Sequence, residues 1–225
     1  MELKRLIDNV YWVFDEKRKR FLATKSAYGN SSVYGEKVFS KNSNFYREWI
    51  PFRSKFSAAF YKGLNGVDLK PGYNVLYLGA SSGTTVSHVS DIVGVNGKVF
   101  SVEIAEEMAV NLVLLANLRN NIFPILGDAR KLEEYENIIQ KCDFLYQDVA
   151  QRDQTEIFIK NADIFLKKGR IGIFAIKTRS INVSINPREV VRMELLKLKN
   201  KFELIRNIDL YPYQKDHSLL ILRKL

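Results

Sequence analysis

The chain has very little cysteine and no long apolar run. Cys142 is the only cysteine in 225 residues, so no intrachain disulfide is possible and a reducing compartment is expected. No apolar stretch approaches the roughly 20 residues that a membrane-spanning helix needs. The N-terminal residues mix both charge signs too early for a signal peptide. We therefore expect a protein that has no membrane partner.

Two phosphate-binding sequence patterns are also absent. The chain contains neither Gly-x-Gly-x-x-Gly, which cradles the pyrophosphate of a dinucleotide, nor Gly-x-x-x-x-Gly-Lys-Ser/Thr, which holds a triphosphate. Their absence disfavours an NAD-dependent dehydrogenase and an ATP-binding enzyme. The sequence also has no internal repeat and no low-complexity segment.

What the chain does have is an excess of positive charge. Its 35 basic and 25 acidic side chains give a formal net charge of +10 at pH 7. Such an excess attracts polyanions and speeds their encounter with the protein, so composition makes nucleic acid the leading partner. Hydrophobic residues make up 46% of the chain, which is enough for a sizeable core.

Residues 1–53 have the sequence pattern of a small β-rich domain. Val10–Phe14 and Arg20–Thr24 have the composition of strands, and the polar segment 15–19 between them is typical of a hairpin tip. Residues 29–35 contain the glycine, asparagine and serine residues of a loop. Because this domain is small, we expect it to depend on packing against its neighbour.

Residues 54–225 alternate between strand-like and helix-like segments. Ser54 is placed to cap a first helix that runs to about Leu64. The strands predicted after it are 75–78, 98–104, 122–126, 144–149 and 170–177, and the helices are 84–92, 105–118, 132–139, 154–166 and 187–198. This alternation predicts a doubly wound α/β domain. The loop between strands 202–210 and 218–222 is too short for a crossover helix, so this last pair should be antiparallel.

The most informative segment runs from Val75 to Thr85. Its apolar strand breaks into small residues at Gly79 and enters a helix at Thr84. Glycine accepts turn dihedrals that other residues avoid, and the start of a helix offers unpaired N–H groups. Gly79 and Gly83, without the pyrophosphate pattern, suit a smaller ligand of the nucleoside type.

Acidic side chains follow three of the predicted strands. Glu103 ends the strand after the glycine loop, and Asp128 and Asp148 follow the next two strands. In open α/β sheets, ligands bind at the edge where the carboxyl ends of the strands meet. Carboxylates at that edge accept hydrogen bonds from ribose hydroxyls, repel phosphate and tolerate a sulfonium cation. They therefore indicate S-adenosylmethionine rather than NAD or ATP.

Basic side chains reach the same edge. Lys177 closes an apolar strand, and we expect it to pair with Asp148 on the neighbouring strand. Burial and pairing act oppositely on the pKa of a lysine, so its protonation state stays open. Lys55 opens the helix before the first strand of the α/β domain, and His217 opens the last strand.

Taken together, these segments resemble the fibrillarin family, the ribose 2′-O-methyltransferases of box C/D RNA-guided ribonucleoproteins. The similar segments, in order over nearly the whole chain, are 46–49, 53–55, 77–85, 127–130, 147–151, 175–177 and 215–217. They are specific as a set, although many methyltransferases share the glycine loop. The resemblance implies a Rossmann-like class I S-adenosylmethionine-dependent methyltransferase fold. In that fold a mostly parallel seven-stranded sheet has an antiparallel last strand, and here a small N-terminal β-rich domain precedes it.

The resemblance also implies the residues of the site. The catalytic group would be Lys55, Asp148, Lys177 and His217. The cofactor-binding residues would be Gly79, Ala80, Gly83, Thr84, Thr85, Glu103, Ile104, Asp128, Ala129, Asp148, Val149, Ala150 and Gln151, and no metal is expected. We expect Lys177, held by Asp148, to orient the target 2′-hydroxyl or accept its proton. Lys55 and His217 would hold that hydroxyl and a nearby phosphate.

The same resemblance implies partners and a location. The chain would methylate rRNA and tRNA together with a box C/D guide RNA, a Nop-family scaffold protein and a kink-turn-binding protein of ribosomal type. It lacks the glycine/arginine-rich extension of the nuclear members, so it resembles the short archaeal form and a cytoplasmic location is expected. Three residues depart from the family pattern: Ser82 replaces Ala, Arg152 replaces Pro and Thr178 replaces Ala. Arg152 lies at the rim where RNA would enter.

Two other functions stay open at this point. A methyltransferase of the same fold would act on a protein glutamine or a small molecule. A non-catalytic, RNA-associated scaffold would retain the fold without the reaction. The two lysines and the +10 charge favour RNA as the substrate, and the intact catalytic group argues against a scaffold.

Overall fold

The computed structural model describes residues 1–225, and its first sheet is antiparallel. The strands of this sheet are β1 (Glu2–Ile7), β2 (Val10–Phe14), β3 (Arg20–Lys25), β4 (Val38–Lys41) and β5 (Asn44–Glu48). Their order is β1-β2-β3-β5-β4. The two strands predicted here are confirmed as β2 and β3, whereas β1, β4 and β5 were not predicted.

The second sheet has seven strands and is mostly parallel. Its strands are β6 (Asn74–Leu78), β7 (Lys98–Glu103), β8 (Ile122–Leu126), β9 (Cys142–Gln147), β10 (Leu166–Lys177), β11 (Phe202–Asp209) and β12 (His217–Lys224). They lie in the order β11-β12-β10-β9-β6-β7-β8. Only β12 runs antiparallel to its neighbours, β10 and β11. The predicted class I methyltransferase fold with an antiparallel last strand is confirmed.

Six helices accompany this sheet: α1 (Lys55–Tyr61), α2 (Thr84–Val93), α3 (Glu106–Leu118), α4 (Gln154–Phe165), α5 (Thr178–Ile181) and α6 (Pro187–Leu198). The helix predicted over 132–139 is wrong, because only a single 3₁₀ turn forms there, at Leu132–Glu134. Side chains of this segment hold the preceding loop instead: Glu134 accepts from the backbone N–H of Asp128, and the hydroxyl of Tyr135 donates to the carbonyl of Ala129. None of the helices has the length and apolar character needed to cross a bilayer.

The two sheets share one hydrophobic core. Val10, Trp12 and Leu22 of the first sheet belong to the same buried cluster as Phe56 of α1 and Tyr146 of β9. A second cluster fills the opposite face of the seven-stranded sheet. The first sheet is therefore packed directly onto the α/β part of the chain.

Buried charges also join the two parts. The guanidinium of Arg47 on β5 contacts carboxylate oxygens of Glu36 and of Asp91 on α2, both at 2.7 Å, and none of these side chains is exposed. Asp91 also pairs with Arg119 at 2.7 Å. An ion buried without its partner is very costly, so this cluster fixes the position of β5 on α2.

Candidate active site

The glycine loop begins where β6 ends. Gly79 has φ +77°, and a Cβ atom there would lie 2.4 Å from the carbonyl oxygen of Asp148. Only glycine allows such a close approach together with this left-handed conformation. The N–H groups of Gly79 and Ala80 both donate to the carbonyl of Val102, at 2.9 and 3.1 Å. The loop is thus fixed against both neighbouring strands, β7 and β9.

A cleft of about 270 Å³ opens at this edge of the sheet. Predicted cofactor residues that line it are Gly79, Glu103, Ile104, Asp128, Ala129, Asp148, Val149, Ala150 and Gln151. It is also lined by residues that the sequence reasoning missed, namely Ser81, Val102, Gly127 and Ile157. Ser81 lies in the glycine loop and Gly127 directly precedes Asp128, so their positions in the sequence could have indicated them.

Four predicted cofactor residues, Ala80, Gly83, Thr84 and Thr85, do not line this cleft. Gly83 packs α2 against α3, because a Cβ atom there would lie 2.5 Å from Cδ2 of Leu115. Thr84 lines a separate cavity of about 520 Å³. Thr85 Oγ1 donates to Ser54 Oγ at 3.0 Å. Since Ser54 also caps α1 by accepting from the N–H of Ser57, Thr85 helps to position the start of α1.

Two carboxylates are held firmly at the cleft. Glu103 is 8% exposed and accepts from the N–H groups of Ser81, at 2.6 Å, and Ala105, at 2.9 Å. A hydrogen bond from the Arg130 guanidinium is the main cause that lowers the pKa of Asp128. These carboxylates are held in place beside a glycine loop whose backbone a ligand can approach closely. Such a site suits a ligand that has hydroxyl or amine donors and a positive charge. The residues present therefore fit S-adenosylmethionine.

The expected pair between Asp148 and Lys177 is wrong. Asp148 Oδ2 accepts instead from Nζ of Lys55, at 2.9 Å, and both side chains are about four-fifths buried, with 22% and 19% exposed. The first turn of α1 brings Lys55 over the edge of the sheet and so supplies a closer partner. Lys177 Nζ makes no hydrogen bond or ion pair within the chain, so it is free to contact a ligand.

His217 and Lys177 lie directly opposite each other on the antiparallel strands β12 and β10, so their side chains share one face. His217 Nδ1 is 2.7 Å from the carbonyl oxygen of Lys215. Because a carbonyl only accepts, Nδ1 carries the proton and Nε2 keeps a free lone pair. Burial and the nearby charge of Lys55 lower the pKa of His217, and Lys177 lowers it slightly further. The hydrogen bond to the carbonyl of Lys215 and the charge of Asp148 oppose this shift without cancelling it. The structure thus brings the four predicted catalytic residues together around a neutral imidazole.

Sequence reasoning missed Gln154, a fully buried residue at the start of α4. Its Nε2 donates to the carbonyls of Gln151, at 2.8 Å, and Lys177, at 3.2 Å, and its Oε1 accepts from the N–H of Lys177 at 2.9 Å. One side-chain amide therefore ties the loop after β9 to the end of β10. The only sequence signal was a polar residue at a helix start, which is common and uninformative.

Comparisons with known proteins agree with this geometry. The fibrillarin family model matches residues 1–224. The chain is 45% identical over 221 residues to the fibrillarin-like rRNA/tRNA 2′-O-methyltransferase of Pyrococcus abyssi, covering 98% of this chain and 97% of that relative. It is similar to the crystal structure of Aeropyrum pernix fibrillarin with natively bound S-adenosyl-L-methionine, with a TM-score of 0.91, 40% identity, and coverage of 99% of this chain and 98% of that one. For fibrillarin in the crystal structure of a fibrillarin/Nop5p complex the TM-score is 0.89 and the identity 41%, covering 99% of this chain and 100% of that one. The chain therefore belongs to the fibrillarin family.

Proposed function

We propose that this chain transfers the methyl group of S-adenosylmethionine to ribose 2′-hydroxyls of rRNA and tRNA, as the catalytic subunit of a box C/D ribonucleoprotein. One observation carries the proposal: the carboxylate-lined cleft opens beside the Lys55–Asp148 pair and the adjacent side chains of Lys177 and His217. The name of the relative from Pyrococcus abyssi supports RNA as the substrate. The net charge of +10 supports the same class of partner.

The cofactor would lie in the cleft between the glycine loop and the loops that follow β7, β8 and β9. When bound, S-adenosylmethionine supplies a methyl group that is activated by a positively charged sulfur. Glu103 and Asp128 would accept hydrogen bonds from its hydroxyl and amine groups. The carbonyl edge of Gly79 and the carboxylate of Asp148 would border the sulfonium end, where negative potential is favourable.

The remaining groups would prepare the acceptor hydroxyl. Lys177 would donate to the 2′-oxygen and stabilise the negative charge that grows on it. Nε2 of His217 would accept the hydroxyl proton as the new carbon–oxygen bond forms. Lys55, held by Asp148, would stay in place beside the acceptor and contribute a positive charge without moving. Positioning supplies much of the rate in such a transfer, because it removes the entropic cost of aligning two reactants.

We also propose that the chain works beside a Nop-family scaffold, a guide RNA of box C/D type and a kink-turn-binding protein of ribosomal type, in the cytoplasm. The fibrillarin/Nop5p complex supports the scaffold for a related protein. Guide pairing would select the nucleotide, while basic side chains of this chain would grip the RNA backbone, because phosphate contacts position a nucleic acid without reading its sequence.

The test is reconstitution with these partners, followed by mapping of 2′-O-methyl groups. Lys177→Ala should lower the single-turnover rate of methylation by at least about 100-fold, because the acceptor oxygen loses its donor. The affinity for S-adenosylmethionine should change little, because Lys177 lies outside the cleft lining.

Lys168→Ala is the matched control, because Lys168 lies exposed at the other end of the same strand. Near-normal methylation by the Lys177 variant would contradict its role. Absence of methylation by the unmodified chain in the assembled particle would contradict the proposed function.

A further inference from the structure

A second groove lies beside the catalytic group, between the loop after β9 and the segment after β10. It encloses about 470 Å³, and its polar lining includes Arg152, Arg179, Ser180, Asn182 and Ser184. No carboxylate is among its lining residues. Two guanidinium groups with hydroxyl and amide donors form a surface suited to a phosphodiester.

Both arginines extend from backbone that is fixed. Arg152 directly follows Gln151, and Arg179 is two residues beyond Lys177. The buried side-chain amide of Gln154 donates to the carbonyls of Gln151 and Lys177. The groove is therefore held at a set position relative to the main chain of Lys177.

The pairing of the two arginines differs. The side chain of Arg152 makes no hydrogen bond or ion pair within the chain, so its guanidinium is fully available. Arg179 is already oriented: its Nε lies 3.5 Å from Oδ2 of Asp216, and its Nη1 donates to the carbonyl of Val183. The groove thus contains one guanidinium held in place, that of Arg179, and one without a partner in the chain, that of Arg152.

We infer that Arg152 and Arg179 bind a backbone phosphate of the target RNA strand adjacent to the ribose that is methylated. This inference rests on the proposed function. The carboxylates of the neighbouring cofactor cleft repel phosphate, and Asp209 and Asp216 line the cavity beside His217, whereas no carboxylate lines this groove.

The experiment measures single-turnover methylation in the assembled particle as a function of target RNA concentration and of salt. Arg152→Gln should raise the half-saturating RNA concentration by about tenfold, as expected for the loss of a charge-assisted hydrogen bond. It should reduce the salt slope of binding by about one. The rate at saturating RNA should stay close to that of the unmodified protein.

Arg192→Gln is the matched control, because Arg192 is 77% exposed on α6 and pairs only loosely with Glu189, at 3.8 Å. Equal half-saturation for the Arg152 and Arg192 variants, in a particle that methylates normally, would overturn the inference and leave the proposed function standing.

Target RNAs with one neutral methylphosphonate at a time beside the methylated ribose identify the phosphate. One of these linkages should weaken binding to the unmodified protein and have no further effect on Arg152→Gln, because both changes remove the same contact. Additive losses at every neighbouring linkage would place the bound phosphate elsewhere and overturn the inference.

Discussion

At the level of single side chains, the tautomer of His217 decides which of its atoms can accept a proton. Nδ1 is committed to the carbonyl of Lys215, and burial together with the charge of Lys55 holds the pKa of the ring below its ordinary value. A base acts only when it is unprotonated. We therefore predict a methylation rate that is level above about pH 6.5 and falls below the lowered pKa of His217.

The measurement is the single-turnover rate in the assembled particle across pH, with cofactor binding checked at each point. His217→Gln should be slower and should lose the acidic fall. A rate that continues to rise at alkaline pH would contradict His217 as the proton acceptor.

Which residues meet at the site was only partly predictable from sequence. Lys177 and His217 were placed at the correct edge, because a strand end and a strand start can be read from the apolar pattern. The ion-pair partner of Asp148 was not predicted correctly, because Lys55 is 93 residues away in sequence and its position depends on α1. The hydrogen bond from Thr85 to Ser54 that helps to position α1 has no sequence signature.

At the level of elements, the contact between β5 and α2 depends on a guanidinium buried between two carboxylates. We predict that Arg47→Ala lowers the free energy of unfolding by about 3–5 kcal/mol, because Glu36 keeps no cation and Asp91 keeps only Arg119. Urea unfolding followed by circular dichroism measures this.

Arg192→Ala is a suitable comparison on an exposed helix face and should change stability by less than about 0.5 kcal/mol. A similarly small change for Arg47→Ala would show that water or a rearranged neighbour replaces the guanidinium.

Two of the strands that sequence missed, β4 and β1, are short or highly polar. β4 has four residues, and the burial of β1 does not alternate, because charged residues occupy much of it. Both lie at the edges of the first sheet, where one side of the strand has no partner and the hydrophobic pattern is weak. The strands at the centre of the second sheet were predicted well because both of their faces are buried.

At the level of the whole molecule, we propose that the two domains meet between residues 53 and 54, after the 3₁₀ turn Pro51–Arg53. We predict that the fragment 54–225 unfolds at a lower urea concentration than the full chain and tends to aggregate. Removing the first sheet uncovers Phe56 and its neighbours in the shared core and takes Arg47 away from Asp91.

Urea unfolding and light scattering of the fragment, alone and with a separately prepared 1–53 peptide, provide the measurement. If mixing restores the urea midpoint of the full chain, the lower stability of the fragment is due to the missing interface with the first sheet. An unchanged midpoint for the fragment alone would show that the α/β part is independent of the first sheet.

The strand direction of β12 has a consequence for how this site is built. β12 has eight residues, so had it run parallel to β10, its first residue would lie at the opposite edge of the sheet, roughly 25 Å from the catalytic group. Because this one strand is reversed, His217 at its start lies at the same edge of the sheet as residues at the ends of the parallel strands, such as Lys177 at the end of β10. The proposed proton acceptor thus reaches the site through chain direction alone, without an inserted segment or a moving loop.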